Sequence, residues 1–331
     1  MLHDLFLLCR TLSCVLITMI NSMKNKIILI TGANIGLGKE SARQLSLKGN
    51  TEKIYLACRN LEKAIQAKKD LEDMTGRNIF EIILMDISDP DSVKKAVSSL
   101  PQAVDALILN AGGQGGKDPL SLSPSGMTNI AATNLLGHMV LVDQLIKMNK
   151  IKNEVVYVSS EGARGIKGVM KKPNIKTNSV DEFISILNGS FSDPKFDGSE
   201  AYGYGYIKYI GALWTSANAR KYPHIKFISV SPGNTRGTAG YDNLPTLTKF
   251  FFKYLLAPIV MPLIGMIHSI RKGAARYVEV LDNPKIETGS FYASKEGKVI
   301  GEMIDQRTVF PEFKNIAFQD NADIAMHSFL K

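Results

Sequence analysis

Short apolar runs recur along the chain, separated by longer stretches in which apolar positions return every three or four residues. The runs near 27–31, 53–57, 80–85, 104–109, 154–158, 225–230 and 290–293 predict strands buried on both faces. The intervening periodicity predicts helices over 37–48, 61–74, 90–99, 127–148 and 202–221, with a short helix from Val180 to Leu187. Strand and helix signals alternate, which implies βαβ units: one α/β domain with a mainly parallel sheet and helices on both faces. A length of 331 residues, 45% of them apolar, supplies a sizeable core, and no repeat or linker divides the chain.

The first strand runs directly into Thr31-Gly32-Ala33-Asn34-Ile35-Gly36-Leu37-Gly38, and a helix signal follows from Lys39. Glycines at a strand-to-helix turn let the backbone bend sharply and approach a ligand, and a helix start offers free N–H groups and a positive dipole end to a pyrophosphate. The spacing Gly-x-x-x-Gly-x-Gly differs from the commoner dinucleotide fingerprint Gly-x-Gly-x-x-Gly. Farther on, Tyr204 and Lys208 stand four apart and share a helix face. An ammonium beside a phenol stabilises the phenolate and draws its pKa down from about 10, which makes the pair an acid and base. Tyr202 and Tyr206 have no lysine four residues later.

Val155-Val156-Tyr157-Val158 ends in Ser159-Ser160, placing a hydroxyl at the carboxyl end of a strand, where open α/β sheets bind ligands. Ala106-Leu107-Ile108-Leu109 ends in Asn110-Ala111-Gly112-Gly113, and Asn134 lies within an otherwise helical stretch interrupted by Gly137. Each has a plainer reading as well: Ser160 as a helix cap, Asn110 as a turn former, Asn134 as a hydrogen-bonded core residue. At the end of the second strand, Ala57-Cys58-Arg59 presents an arginine where an acidic residue would bind an adenosine ribose. Arginine there pairs with a 2′-phosphate, favouring NADP(H) over NAD(H).

In this order, Thr31-Gly32-x-x-x-Gly36-x-Gly38, Asn110-Ala111-Gly112, Asn134, Ser160, Tyr204-x-x-x-Lys208 and Ser231-Pro232-Gly233 resemble the short-chain dehydrogenase/reductase family from about Lys24 to about Lys298. The Ala-Cys-Arg ending is similar to the retinol-dehydrogenase branch and its relatives. The resemblance implies a doubly wound Rossmann fold and a catalytic tetrad. Tyr204 would exchange a proton with the substrate oxygen, Ser160 would hold that oxygen, Lys208 would bind nicotinamide ribose and acidify Tyr204, and Asn134 would position a water relay. The implied cofactor contacts are Gly32, Asn34, Ile35, Gly36, Gly38, Arg59, Asp86 beside the adenine, Asn110, Ala111, Gly112, Tyr204, Lys208, Pro232 and Gly233. The implied activity is hydride transfer between NADP(H) and a small-molecule carbonyl or alcohol substrate.

Three departures stand out. A long segment separates Ser160 from Tyr204, as in protochlorophyllide reductases, and long connections often form lids. Gly203 and Gly205 flank the tyrosine and predict an irregular helix start, at about 1 kcal/mol each. Gly237 stands where the family usually carries a threonine that touches the cofactor amide, leaving Thr235 or Thr238 as substitutes. Segments 161–200 and 237–272 are thus expected as substrate lids within a domain spanning 24–331. The apolar stretch from Phe250 through Ile270, broken by Pro258 and Pro262, fits two short helices over a bulky retinoid-, steroid- or lipid-like substrate, or else core packing or a homo-oligomer contact.

A net charge of +9 is scattered rather than gathered, which argues against a nucleic-acid partner and leaves a phosphorylated cofactor, a membrane-surface contact or a solvated face. Cys9, Cys14 and Cys58 form neither a metal pattern nor a disulfide framework, so no metal is expected and a cytoplasmic location fits. Residues 1–23 read as a membrane anchor, giving a membrane-associated protein, or as an upstream mis-assigned start before Met23-Lys24, with a targeting peptide or a docked helix as further alternatives. Two other functions share these motifs: a protochlorophyllide-reductase-like photoenzyme and a non-catalytic dinucleotide-binding regulator. The intact tetrad argues against the regulator.

Overall fold

The computed structural model describes residues 26–167, 170–191, 200–236 and 265–330. The extension 1–23, the apolar segment from Phe250 with Pro258 and Pro262, and the positions Gly237 and Thr238 lie outside them.

Among the described residues, eight strands form one sheet in the order β3-β2-β1-β4-β5-β6-β7-β8. They are β1 (Ile27–Thr31), β2 (Lys53–Cys58), β3 (Phe80–Leu84), β4 (Val104–Leu109), β5 (Ile151–Val158), β6 (Lys226–Val230), β7 (Ser290–Ser294) and β8 (Met303–Asp305). The first seven pair in parallel and β8 pairs antiparallel with β7. The chain order reverses between β1 and β4, which opens a crevice at the carboxyl ends of those strands, where doubly wound sheets bind ligands.

Between the strands lie α1 (Gly36–Ser46), α2 (Leu61–Thr75), α3 (Pro90–Ser99), α4 (Asn129–Ala131), α5 (Gly137–Lys147), α6 (Val180–Leu187), α7 (Glu200–Lys221), α8 (Ile270–Asp282) and α9 (Ile316–His327). Strand side chains alternate between two cores. Leu29, Leu107, Tyr157 and Phe227 face α3, α5, α7 and α9, whereas Ile28, Ile108, Val156 and Ile228 face α1, α2 and α8. Both faces are covered, which is why the strands read as continuous apolar runs. Among the described residues, no helix is long and apolar enough to cross a membrane.

Two glycines allow close layer packing. A Cβ on Gly211 would lie 2.4 Å from the Tyr157 ring, so only glycine admits that ring beneath α7. A Cβ on Gly137 would lie 1.7 Å from the Ile87 carbonyl oxygen, so Gly137 lets α5 press against the turn after β3.

The expected strands occur, as do the helices expected within the described residues; the two short helices expected after Phe250 lie outside them. Contrary to the expectation of an irregular start, α7 is continuous helix through Gly203 and Gly205. A Cβ on Gly205 would lie 3.0 Å from the Gly162 carbonyl oxygen and 3.1 Å from the Met170 sulfur, so the helix gains tight packing there in place of local propensity. The sequence reading also missed β8, α8 and α9; the two helices begin at side-chain caps, Ser269 on the Lys272 N–H and Asn315 on the Phe318 N–H.

Candidate active site

The carboxyl ends of β1, β4, β5 and β6 lie level, with Ile30 opposite Ile108, Leu109 opposite Tyr157, and Val158 opposite Val230. The motifs recognised in the sequence follow these strands, so the sheet brings them together.

At β1, Gly32 and Gly36 adopt φ of +66° and +62°. A Cβ on Gly38 would lie 2.5 Å from the Gly32 carbonyl oxygen, which demands glycine, whereas a Cβ on Gly36 would meet nothing within 4 Å. The loop is therefore closed beneath and open above Gly36. Helix α1 starts there with Ile35 at its N-cap, no side-chain cap and no acidic residue in its first turn. Its first N–H groups are left to an anion. These features fit a dinucleotide pyrophosphate. Ile35 itself is 72% exposed on the loop.

The loop is braced from below. The Thr31 hydroxyl accepts the N–H groups of Asn110 and Ala111, each at 2.9 Å, and Asn110 Nδ2 donates to the Thr31 carbonyl at 2.9 Å. The buried Cys58 sulfur accepts the N–H groups of Ala33 and Asn34, and burial pushes its pKa up to about 11, so it stays a thiol. Arg59, the next residue, is exposed and carries no ion pair among the described residues. The Asp86 carboxylate accepts the Ser88 N–H at 2.9 Å and hydroxyl at 2.6 Å, which fixes the turn after β3.

Tyr204 and Lys208 lie on α7, with the Lys208 ammonium 5.6 Å from the centre of the Tyr204 ring and 5.1 Å from that of Tyr157. The Lys208 Nζ donates to the Val158 carbonyl at 2.9 Å. Tyr204 shares a hydrogen bond with the Ser160 side chain, and the Ser160 oxygen also accepts the Gly162 N–H at 3.1 Å. Burial is the dominant influence on both α7 groups: it pushes the Tyr204 phenol up to about 12 against the Ser160 bond, and the Lys208 ammonium down to about 7. The expectation that Lys208 draws the phenol toward neutrality is thus reversed in this structure. Lys208 is about half charged at neutral pH, and Tyr204 keeps its proton there.

Asn134 occupies a π-helical turn, Ala132–Leu136, between α4 and α5. Its Nδ2 donates to the carbonyls of Gly113 and Ile130, both at 2.8 Å, and its Oδ1 accepts the Gly113 N–H at 3.3 Å. The side chain is committed to the Gly112–Gly113 turn, and its main-chain oxygen lies 3.2 Å from His138 Nδ1 and 3.5 Å from the Tyr157 hydroxyl. A Cβ on Gly112 would lie 2.5 Å from Asn134 Oδ1 and 3.6 Å from Lys208 Nζ, so these three residues meet. Burial pulls His138 down to about 3 and keeps it neutral.

After β6, Gly233 has a φ of +73°. The Pro232 carbonyl is 2.7 Å from His268 Nε2, and the Thr235 hydroxyl bonds the carbonyls of Pro232 and Gly233. Thr235 is buried and turned into its own loop. Sequence reasoning missed Tyr157, His138, Glu161 and Arg276, which pack around these groups. The available signals were an arginine amid the apolar face of α8 and a carboxylate directly after Ser160.

A sequence model of the short chain dehydrogenase family matches residues 26–171. The chain is 29% identical over 289 residues to a short chain dehydrogenase/reductase from Cryptosporiopsis sp., a match covering 82% of this chain and 86% of that protein. Together these matches support a short-chain dehydrogenase/reductase of the retinol dehydrogenase-like branch. Human retinol dehydrogenase 11 is 32% identical over 143 residues, 42% of this chain and 44% of the human protein. The match thus spans less than half the length of that relative. Among solved structures, NADPH-bound carbonyl reductase from chicken fatty liver aligns with a TM-score of 0.55 at 18% identity, covering 84% of this chain and all 100% of that one. Salutaridine reductase from Papaver somniferum aligns at 0.57 and 18% identity, covering 81% and 100%. At such identities the two alignments establish the fold.

Proposed function

We propose that this protein is an NADP(H)-dependent oxidoreductase that transfers hydride between nicotinamide and a carbonyl or alcohol carbon, with Ser160, Tyr204, Lys208 and Asn134 as its working residues. One observation carries the reading: the Ser160–Tyr204 hydrogen bond, with Lys208 on the next turn of the same helix, sits at the carboxyl ends of the central strands. The dinucleotide supplies the hydride. Tyr204, protonated at neutral pH, donates to the oxygen that gains negative charge as a carbonyl is reduced, and Ser160 donates a second hydrogen bond to it. Lys208 holds the ribose side and, when charged, eases the return of the phenol through its ionised form. Asn134 fixes the Gly112–Gly113 turn against Lys208 and presents its main-chain oxygen toward a water relay.

Gly32, Asn34, Ile35, Gly36 and Gly38 would hold the phosphates, Asp86 the adenine, Asn110, Ala111 and Gly112 the ribose, and Pro232 and Gly233 the carboxamide. Arg59 supports NADP(H): it is an exposed guanidinium without an ion pair among the described residues, directly after the strand whose Cys58 sulfur holds the glycine loop. The human relative's name, a retinol dehydrogenase, supports a bulky apolar substrate.

NADPH oxidation followed over a panel of apolar and polar carbonyl compounds tests the assignment. The reading expects turnover with apolar members. Tyr204→Phe should abolish it, by about 10²-fold or more, while NADPH binding, followed by its fluorescence, persists. Wild-type turnover in Tyr204→Phe would refute the mechanism.

A further inference from the structure

The cluster of charges beside the site consists of Glu161, Arg164 and Arg276, which are 3%, 5% and 4% exposed. Such burial is unusual for ionic groups, which sit inside a protein only when paired. The Glu161 carboxylate pairs with Arg164, accepts the Ser294 N–H at 3.0 Å and hydroxyl at 2.9 Å, and lies 3.3 Å from Arg276 Nη1. Arg276, from α8, uses Nη1 to donate to the Ser231 carbonyl at 3.0 Å and Nη2 to reach the Ser294 hydroxyl and the Gly301 carbonyl, both at 2.8 Å. A Cβ on Gly233 would lie 3.0 Å from Arg276 Nη1, so the guanidinium lies directly beneath the Pro232–Gly233 turn. Arg164 extends the cluster to the Lys298 carbonyl.

The positions of these residues matter more than their number. Glu161 directly follows Ser160, the hydroxyl bonded to Tyr204. Ser231, whose carbonyl Arg276 holds, directly precedes Pro232. Strand pairing aligns β5 with β6 only as far as Val158 and Val230, and both turns lie beyond it. We infer that the buried Glu161–Arg276 pair is a positioning strut that fixes the Ser160 turn relative to the Pro232–Gly233 turn, and so sets the approach of the carbonyl carbon to the hydride donor. The inference rests on the function proposed above. Reacting atoms must come within about 3–3.5 Å, and misplacement by about 1 Å can lower a rate about 10²-fold, so a rigid tie between the two turns has kinetic value.

The test compares the full-length protein with Arg276→Lys, Glu161→Gln and Ser294→Ala. Lysine keeps the charge but not the fork that reaches four partners, so charge alone should fail to restore function. The strut expects Arg276→Lys to lower kcat about 10-fold or more and to weaken NADPH binding, read by fluorescence titration, while the NADPH-to-NADH preference set at Arg59 stays unchanged. Ser294→Ala, which leaves both charges paired, is the mild variant: kcat should fall about threefold with little change in Tm. A melting temperature that falls while kcat and NADPH affinity of the folded protein stay within about twofold would mean the cluster only stabilises the fold, and would overturn the inference. Should Arg276→Lys and Glu161→Gln fail to fold, wild-type kcat in Ser294→Ala overturns it equally. A wild-type protein that neither binds dinucleotide nor reduces any carbonyl refutes the proposed function instead.

Discussion

Replacing Lys208 with methionine should make the protein more stable at neutral pH while removing its turnover. Burial lowers the Lys208 ammonium from its ordinary 10.5 to about 7. Folding therefore disfavours the charged form, and a drop of that size corresponds to about 5 kcal/mol. The sign follows from proton counting: between pH 7 and 10.5 the unfolded chain holds a proton that the folded one has released, so stability rises with pH across this window. Below pH 7 the full penalty applies, and above 10.5 it vanishes. Methionine has the length without the charge, but it forfeits the bond to the Val158 carbonyl and leaves that oxygen unpaired, which costs about 1–3 kcal/mol. The net gain at pH 7 is about 2 kcal/mol, or about 4–8 °C in Tm. The gain should shrink by about 1.4 kcal/mol per pH unit, disappear near pH 9 and become a loss of about 1–2 kcal/mol by pH 10, where only the forfeited Val158 bond remains. Thermal unfolding of both proteins from pH 6.5 to 10, read by circular dichroism, measures the difference at each pH. NADPH oxidation should fall by about 10²-fold or more in the variant. A variant less stable at pH 7, or a difference that does not change with pH, would refute the reasoning.

His327 titrates in the opposite sense: hydrogen bonds to Asp143 and Asp323 raise it to about 10, so its contribution is full below pH 6.5 and is lost as pH rises through about 10. His327→Gln should therefore lower Tm at pH 6.5 and leave it nearly unchanged at pH 10.5; an equal loss at both would remove the ionic explanation. Arg59→Ala should raise the KM for NADPH about 10-fold or more and leave that for NADH alone, and steady-state kinetics with both cofactors checks it, with equal changes in the two counting against the 2′-phosphate contact. Gly137→Ala would place a Cβ 1.7 Å from the Ile87 carbonyl oxygen and should destabilise by about 3 kcal/mol or more; a chemical-denaturation midpoint matching wild type would show that α5 shifts freely.

The central sheet was legible because β1, β2, β4, β5 and β6 are covered on both faces, and double burial writes itself into sequence as unbroken apolar runs. Helix α2 was equally plain, bounded by Asn60 capping the Lys63 N–H and by Gly76 at a φ of +65°. Strand β8 left no such mark: it spans three half-buried residues at the sheet edge. Helix α8 was obscured because Arg276 interrupts its buried face, and that interruption belongs to the ionic cluster beneath Pro232 and Gly233. Gly203 and Gly205 misled in the other direction, since propensity describes an isolated helix and α7 is held by contact with Gly162 and Met170.

Within the site, spacing revealed which residues gather but not what each spends its side chain on. Tyr204 and Lys208 lie on one helix as their spacing predicts, yet the Tyr204 phenol moved against expectation because desolvation, which no spacing encodes, outweighs the Ser160 hydrogen bond, and the same burial lowers Lys208. Asn110 and Asn134 were marked as site residues, and the structure shows both committed to main-chain groups, one bracing Thr31 and Gly32, the other holding Gly113. Short amides next to glycine turns serve this purpose well, because a loop with open space above it must have its own N–H and carbonyl groups satisfied from below. The glycines that give a ligand room and the asparagines that hold those glycines in place therefore form one device, and a motif that looks like a set of ligand contacts is in good part the scaffold that keeps the contact surface rigid.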